Sequence, residues 1–462
     1  PRAERLPATP AGDADVSTIR GATPSNTPPA DLPIKEAIQT GSRRIPQGLS
    51  EDETSEYCQG HVPMAHFRES WGDGRSFDGT VTLTQPLIEP LYSGKTACEL
   101  LTVFGSEEPL DGETILKAYW EANPPAGSNG SFAGDWRRWL HDGFIPGTAA
   151  ATKAVSVASS AASQAAIELN AVMAASMDKP EITFRPDPTV WDGRDANTGW
   201  LQECPTPVTK LTWDNALLMS PAMAERQGLA SEQMVDLTLG NHSLRAAVWV
   251  HPGQADATLT LHLGYGRWRA GGTGSGKGFN AYQLRESRRP WHAQGITLEP
   301  AGETYALAST QLHHNMELEG PEAEARHLVR HGTLERFEHD PEFVQHMGHT
   351  PDESLTLMPE WEYPDHAWGM AVDLSACTGC NACLVSCQAE NNIPVVGKDQ
   401  VAMGREMHWI RIDRYYQGAD SDHVDEIVHQ PVNCMHCEQA PCEVVCPCLL
   451  YTPDAADDDY TV

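Results

Sequence analysis

Short stretches in which apolar and polar residues alternate recur along the chain and predict β-strands. Successive side chains of a strand point to opposite faces, so a period of two predicts strands with one buried face. The inward positions are apolar residues two apart, namely Val81 and Leu83, then Val235, Leu237 and Leu239, then Leu259, Leu261 and Leu263. A turn at Gly240-Asn241 is expected to connect the second of these strands to the next one.

Helices are predicted where the apolar period lengthens and capping residues flank it. The stretch "GETILKAYWEAN" predicts a helix that ends before Pro124 and Pro125. "SPAMAERQGL" predicts a short helix with Ser220 as N-cap, Pro221 at the first helical position and Gly228 as the stop. An Ala/Ser-rich stretch, "TAAATKAVSVASSAASQAAIELNAVMAASM", predicts a surface helix or a spacer between domains.

Length and charge narrow the class of protein. The 462 residues are enough for two to four domains. The net charge of −32 disfavours nucleic acid and anionic lipid as partners, so a partner is expected to be basic or to meet a local patch. No apolar run reaches the length of a membrane-spanning helix, so no transmembrane segment is predicted. The chain opens "PRAERLPATP", without Met or a signal peptide, which suggests processing or a missing N-terminus.

A glycine-rich run and a pair of histidines are candidate ligand-binding sites, but the sequence evidence for each is weak. The run "GYGRWRAGGTGSGKGFNAY" holds seven glycines and has two interpretations, a loop that approaches a cofactor phosphate or a flexible hairpin. Its spacing matches neither a P-loop nor a dinucleotide fingerprint. His313 and His314 are adjacent, so their side chains point in different directions and shared metal binding is not expected.

The cysteines carry the strongest chemical signal, because nine of the twelve fall between residues 377 and 448. The ligand candidates form two groups, Cys377, Cys380, Cys383 and Cys387, then Cys434, Cys437, Cys442 and Cys446. Three cysteines at C-x2-C-x2-C can face three corners of an iron–sulfur cube, and a fourth one helical turn on is expected to face elsewhere. Structural zinc sites pair two widely spaced C-x2-C knuckles, which this spacing fits poorly. The sequence therefore predicts 4Fe–4S clusters.

These cysteine runs and the segments before them resemble one family. "WGMAVDLSACTGCNACLVSCQAENNIPVVGKDQVAMGREMHWIRIDRYY" and "PVNCMHCEQAPCEVVCP" resemble the ferredoxin half of the large iron–sulfur subunit of alternative complex III. "VWDGRDANTGWLQECPTPVTKLTWDNALLMSPAMAERQGL" and "GYGRWRAGGTGSGKGFNAYQLR" resemble its molybdopterin-oxidoreductase-like half. The resemblance implies an α/β plus β-barrel fold class. An α/β domain and a double-psi β-barrel-like domain would be the remnant of the molybdopterin-oxidoreductase fold, followed by a truncated ferredoxin-like 4Fe–4S domain.

The resemblance also implies where the domains begin and end. The expected parts are an α/β region at 1–147, a spacer or helix at 148–180, a molybdopterin-dinucleotide-binding-like barrel at 181–300, a linker at 301–366, a ferredoxin-type domain at 367–447 and a non-native tail at 448–462. The tail resembles the translation of a sequencing adapter, so Cys448 is not offered as a ligand.

The implied function is electron transfer rather than catalysis. A subunit of this family relays electrons through 4Fe–4S clusters in a respiratory quinol oxidoreductase. Its partners are a membrane quinol-oxidising subunit and multihaem cytochrome c subunits. It is exported folded and lies peripherally on the periplasmic face of the bacterial inner membrane. Molybdopterin is expected to be absent. The alternative is a catalytic molybdopterin oxidoreductase of the polysulfide or dimethyl sulfoxide reductase type with a fused iron–sulfur domain.

Cluster pairing follows from the same resemblance. The intact subunit holds up to four clusters, with the first cysteine motif paired to the fourth and the second to the third. Cys377, Cys380 and Cys383 would then share one cluster, while Cys387 would serve another. Because the third and fourth motifs are not in this sequence, neither cluster is expected to be completed, and the chain alone is expected to bind iron substoichiometrically.

Overall fold

A computed structural model of the protein describes residues 17–20, 24–40, 42–105, 109–126, 128, 131–171, 175–312, 330–348, 352–355, 362–364, 366, 369–418, 421–435, 437, 440 and 442. The strands are β1 (Ser17–Arg20), β2 (Arg44–Gly48), β3 (Val62–Pro63), β4 (Gly72–Arg75), β5 (Val81–Thr84), β6 (Phe144–Ile145), β7 (Glu181–Arg185), β8 (Leu211–Thr212), β9 (Leu217–Met219), β10 (Gln233–Leu239), β11 (His242–Val250), β12 (Thr258–His262), β13 (His292–Gln294), β14 (Thr297–Thr304), β15 (Ala308–Ser309), β16 (Ile410–Gly418) and β17 (Val424–Asn433). The α-helices are α1 (Ile34–Thr40), α2 (Ala97–Gly105), α3 (Gly112–Ala122), α4 (Phe132–Asp142), α5 (Ser159–Ala171), α6 (Gly199–Glu203), α7 (Pro221–Gln227), α8 (Gly271–Gly274), α9 (Leu334–His339), α10 (Phe343–His346), α11 (Ala382–Glu390) and α12 (Lys398–Ala402).

The main core lies around a seven-stranded sheet of order β13-β7-β12-β9-β11-β10-β14. The sheet is mixed, because β9 pairs parallel with β11 and antiparallel with β12. The apolar positions predicted for β10 and β12 are buried, which confirms both strands. Each buried leucine contributes roughly 1.5–3 kcal/mol relative to exposure. The tight turn between β10 and β11 has Gly240 at φ 59°, and Leu239 pairs with His242, as the turn predicted there requires.

A smaller sheet of order β4-β5-β6 forms the core of the first part of the chain. Val81 and Leu83 of β5 are buried, as the alternation predicted. Trp120 of α3 and Trp139 of α4 pack on them, and Trp120 Nε1 donates to Asp73 Oδ2 at 3.0 Å. The fold is therefore mixed α/β, as expected, while the barrel, the ferredoxin-like domain and the domain boundaries stay predictions.

The helix predictions are confirmed in their capping residues. Ser220 Oγ accepts a hydrogen bond from Met223 N at 3.0 Å, and Gly228 ends α7 with φ 63°. Helix α3 ends at Ala122, just before Pro124, because proline cannot donate the next helical hydrogen bond. Helix α5 forms within the Ala/Ser-rich stretch, and its described side chains, at 159–166, are exposed.

The glycine-rich run is a packed loop whose two arms are paired, since Gly266 N donates to Lys277 O and Gly276 N donates to Arg267 O, each at 2.7 Å. A Cβ on Gly266 would collide with Asn280 N, and one on Gly274 would collide with Ala196 O. Between these glycines Arg267 is buried and its Nη2 lies 2.6 Å from Glu53 Oε2. The glycines therefore allow close approach of protein backbone to protein backbone.

The cysteine-bearing part consists of a loop, α11, α12 and the β16–β17 ribbon. Within the described part of the chain, no helix combines the length and the apolar character needed to cross a bilayer. His313, His314, Cys446 and the tail 448–462 lie outside the described residues.

Candidate metal centre

The first cysteine group lies on a loop that leads into α11. Cys377 and Cys380 precede the helix and Cys383 lies in its first turn. Gly379 and Asn381 have φ values of 67° and 60°, which turn the chain between successive cysteines. Cys377 is half-buried, whereas Cys380 and Cys383 are exposed. The predicted C-x2-C-x2-C spacing therefore forms one tight loop that presents thiols.

Cys387 lies on the same helix, four residues after Cys383. Residues four apart on a helix share a face and are separated by about 6 Å along its axis. Cys387 therefore lies one helical turn along α11 from Cys383. That it serves a different cluster from the loop cysteines stays a prediction.

Asn381 seats the loop on the part of the chain that runs from β7 to β15, which we call the preceding domain. This residue is 1% exposed, and its Nδ2 donates to Pro205 O at 2.5 Å. A Cβ on Gly379 would lie 2.5 Å from Nδ1 of His429, so the imidazole packs directly on the loop. The contact with His429 requires glycine at position 379, because a Cβ there would collide with the imidazole. Asn381 has a left-handed backbone, a conformation that asparagine adopts more readily than most residues.

Further polar contacts hold the cysteine-bearing part on the same domain. The buried carboxylate of Glu203 accepts from the backbone N–H of Gly397 at 2.8 Å. Trp200 Nε1 donates to Ile393 O at 2.8 Å, and Arg414 Nε donates to Val208 O at 2.9 Å. These bonds come from widely separated segments and fix the orientation of the loop.

Lys210 brings a positive charge to the loop from the preceding domain. It is 1% exposed and lies within electrostatic range of Cys377. Burial, with a smaller contribution from the nearby Arg414 guanidinium, lowers the pKa of Lys210 to about 8, whereas Asp413 acts in the opposite direction. Sequence reasoning missed this residue, because nothing in the pattern around position 210 points to residue 377.

Cys204 also lies near the loop, although in the sequence it is one of the scattered cysteines. It is buried, and burial raises the pKa of its thiol to about 12, with a smaller contribution from Asp187. Cys380 and Cys383 lie within its electrostatic range. Cys204 is therefore a neutral neighbour of the loop.

A cavity of about 200 Å³ adjoins Pro205, on which the loop is seated, and is lined by Pro205, Lys210, Glu406, His408 and Asp413, among others. Burial lowers the pKa of His408 to about 4, so its imidazole is neutral at neutral pH. Asp413 is paired with Arg411, whose Nε lies 3.1 Å from Oδ1. The cavity is therefore polar, and Lys210 is its buried cation.

The second cysteine group follows β17. Cys434, Cys437 and Cys442 are exposed, and Cys434 N donates to Trp409 O at 3.0 Å, which ties the start of this group to the ribbon. Its fourth predicted ligand, Cys446, is outside the described residues.

The donor set has the chemistry that an iron–sulfur cluster takes, because its side chains are soft thiols. Across the described residues, no three His, Cys, Asp or Glu side chains gather closely enough to hold one metal ion. The turn at Gly379 and the seated loop place three of the thiols on one short segment.

Comparisons with known proteins agree with this chemistry over part of the chain. No protein-family model matches. The chain is 39% identical over 80 residues to the iron–sulfur cluster-binding subunit of menaquinone reductase from Nitratidesulfovibrio vulgaris, covering 17% of this chain and 31% of that protein. It is 29% identical over 102 residues to an Hdr-like menaquinol oxidoreductase iron–sulfur subunit from Archaeoglobus fulgidus, covering 19% and 36%. It thus spans about a third of the length of these curated relatives.

Among solved structures, acetylene hydratase from Pelobacter acetylenicus matches with a TM-score of 0.39 at 13% identity, covering 61% of this chain and 44% of that one. Over less than a fifth of its length, the chain is homologous to iron–sulfur subunits of oxidoreductases.

Proposed function

We propose that this protein is an electron-transfer subunit of a respiratory quinol oxidoreductase of the alternative complex III type. The observation that carries the proposal is the C-x2-C-x2-C loop seated on the preceding domain through Asn381. Cys377, Cys380 and Cys383 would hold one 4Fe–4S cluster, and Cys387 and the second group would serve others. When bound, such a cluster accepts and releases one electron at a time.

The surroundings of the loop suit this role. Cluster potential depends on nearby charge, on hydrogen bonds to sulfur and on exposure to water. The loop has a buried cation, Lys210, within electrostatic range, and the imidazole of His429 packs on it. Several docking contacts fix its orientation, and a fixed geometry suits electron transfer because it requires little reorganisation.

The partners and location form part of the same proposal. One relative is named for a menaquinone reductase and the other for a menaquinol oxidoreductase, which supports a membrane subunit with quinone chemistry as a redox partner. In our proposal this subunit oxidises quinol and is the electron donor. Multihaem cytochrome c subunits would be the acceptors, and the complex would lie on the periplasmic face of the inner membrane. With a net charge of −32, contact with a basic surface of a cytochrome partner is favoured.

Iron content in cysteine variants tests the cluster assignment. The chain is reconstituted anaerobically with iron, sulfide and excess dithiothreitol, a small thiol that can fill an open coordination position. Iron and sulfide are then measured per chain. Cys377→Ser and Cys383→Ser are expected to lose iron, whereas Cys98→Ser, an exposed cysteine in the first part of the chain, is the matched control. Equal iron content per chain in all three variants would contradict the assignment.

Cys387→Ser tests how the cysteines are shared. If Cys377, Cys380 and Cys383 hold one cluster without Cys387, its substitution leaves the iron bound at the loop unchanged. A loss as large as that of Cys383→Ser would show that all four residues serve one cluster.

Purification of the protein from its native membranes tests the complex. Covalently bound haem should copurify with the chain, and molybdenum should be far below one atom per chain. Stoichiometric molybdenum would instead support the catalytic molybdopterin oxidoreductase.

A further inference from the structure

Lys210 is held in an unusual backbone conformation at the boundary between the preceding domain and the cysteine-bearing part. Its φ is 59°, a left-handed value that is uncommon for a residue with a side chain. Its backbone N–H donates to Thr206 O at 3.1 Å, and its carbonyl accepts from Thr310 N at 3.0 Å. The backbone therefore fixes where the side chain begins, and that side chain lines the cavity that adjoins Pro205.

In the part of the chain that the structure describes, the Lys210 ammonium has no partner that accounts for its burial. Among the described residues, Lys210 Nζ has no hydrogen-bond acceptor, although the residue is 1% exposed. Two acids line the same cavity, namely Asp413, which is paired with Arg411, and Glu406, which does not hydrogen-bond to Lys210 Nζ. Arg414 adds a repulsive charge. An unpaired charge is unfavourable in a buried position, so a compensating negative group is expected nearby.

The cysteine loop lies where that negative group is needed. Pro205 lines the cavity together with Lys210, and its carbonyl accepts the Asn381 hydrogen bond that seats the loop. Cys377 is within electrostatic range of Lys210, and thiolate-bound iron–sulfur clusters are negatively charged. His429 packs against Gly379 from β17, and its Nδ1 also has no hydrogen-bond partner among the described residues. Two nitrogen side chains, one from the preceding domain and one from the ribbon, therefore meet the same loop.

We propose that Lys210 is a potential-setting residue, whose ammonium raises the reduction potential of the cluster held by Cys377, Cys380 and Cys383. The inference rests on the proposed function. One-electron reduction adds a negative charge to the cluster, and a fixed positive charge nearby stabilises the reduced form more than the oxidised form. Because Lys210 belongs to the preceding domain, that domain would set the potential of a cluster that it does not ligate.

The test compares midpoint potentials in the full chain reconstituted with iron, sulfide and dithiothreitol. Lys210→Met removes the charge and keeps the side-chain length, Lys210→Arg keeps the charge, and Lys153→Met removes an exposed lysine as the matched control. Potentials are read by redox titration monitored by electron paramagnetic resonance, after iron and sulfide have been counted. The Met variant is expected to lower the potential of one cluster, while the Arg and Lys153 variants stay near the wild-type value.

The outcomes separate the two proposals. Wild-type chain with no cysteine-dependent iron overturns the proposed function, and this inference with it. Iron-loaded wild type and Lys210→Met with equal potentials overturn the role of Lys210 alone. If Lys210→Met fails to fold, the midpoint potentials of Lys210→Gln and Lys210→Arg are compared instead. Equal potentials in these two variants likewise overturn the role of Lys210.

Discussion

The ammonium of Lys398 lies 2.5 Å from Oδ2 of Asp214, an ion pair that joins α12 to the preceding domain. The side chain of Asp214 is fully buried, and its Oδ1 accepts from Gly278 N at 2.7 Å and from Tyr305 Oη at 2.8 Å. The Lys398 ammonium also lies 4.0 Å from the centre of the Tyr305 ring. One buried carboxylate thus organises the glycine-rich loop, the segment that follows β14 and the cysteine-bearing part.

Lys398→Met should destabilise the protein by about 3–5 kcal/mol, because removing one partner leaves a buried charge unpaired. Urea unfolding measures the free energy of unfolding. Lys153→Met, at an exposed position, is the control and should change it by less than about 0.5 kcal/mol. A double variant with Asp214→Asn should recover part of the loss. A Lys398→Met change no larger than that of the control would show that the ion pair contributes little.

Glu53→Ala should be comparably damaging, by about 3–5 kcal/mol, because it strands the buried guanidinium of Arg267. Glu53 also accepts from Arg269 N at 3.0 Å, so one substitution removes several bonds. The same urea measurement applies. Glu89→Ala, an exposed acid, is the control. Should both variants unfold at the same urea concentration, the pair between Glu53 and Arg267 would not be a stabilising contact.

The Cys204 thiol should resist alkylation in the folded protein. Burial raises the pKa of Cys204 to about 12. At pH 8 the reactive thiolate is therefore about ten thousand times less abundant than the thiol. Iodoacetamide followed by peptide mass spectrometry should label the exposed Cys98 first and leave Cys204 unmodified. In urea both should be labelled, which is the control for detection. Equal labelling rates in the folded chain would contradict the buried placement.

The local elements were predictable because their signals are local. Alternation along Leu259–Leu263 and the Ser220 and Gly228 caps depend on neighbours within a few residues, and both were found as expected. The cysteine spacing likewise predicted a loop at residues 377–383. Lys210 and Cys204 could not be predicted at this site, because only the docking of two distant segments brings them to the loop. The packing of the glycine-rich run was also hidden, since its partners, such as Ala196, lie far away in the sequence.

His408 should make stability depend on pH below neutrality. Burial lowers its pKa from 6.5 to about 4, so between these values the unfolded state binds more protons than the folded state. The contribution of the neutral His408 to the free energy of unfolding is therefore complete above pH 6.5. It falls as the pH drops towards 4, by at most about 1.4 kcal/mol per pH unit. Urea unfolding from pH 4.5 to 7 should show a shallower slope for His408→Phe than for wild type, while His339→Phe, at an exposed position, keeps the wild-type slope. Identical slopes for wild type and His408→Phe would mean that His408 does not titrate differently in the two states.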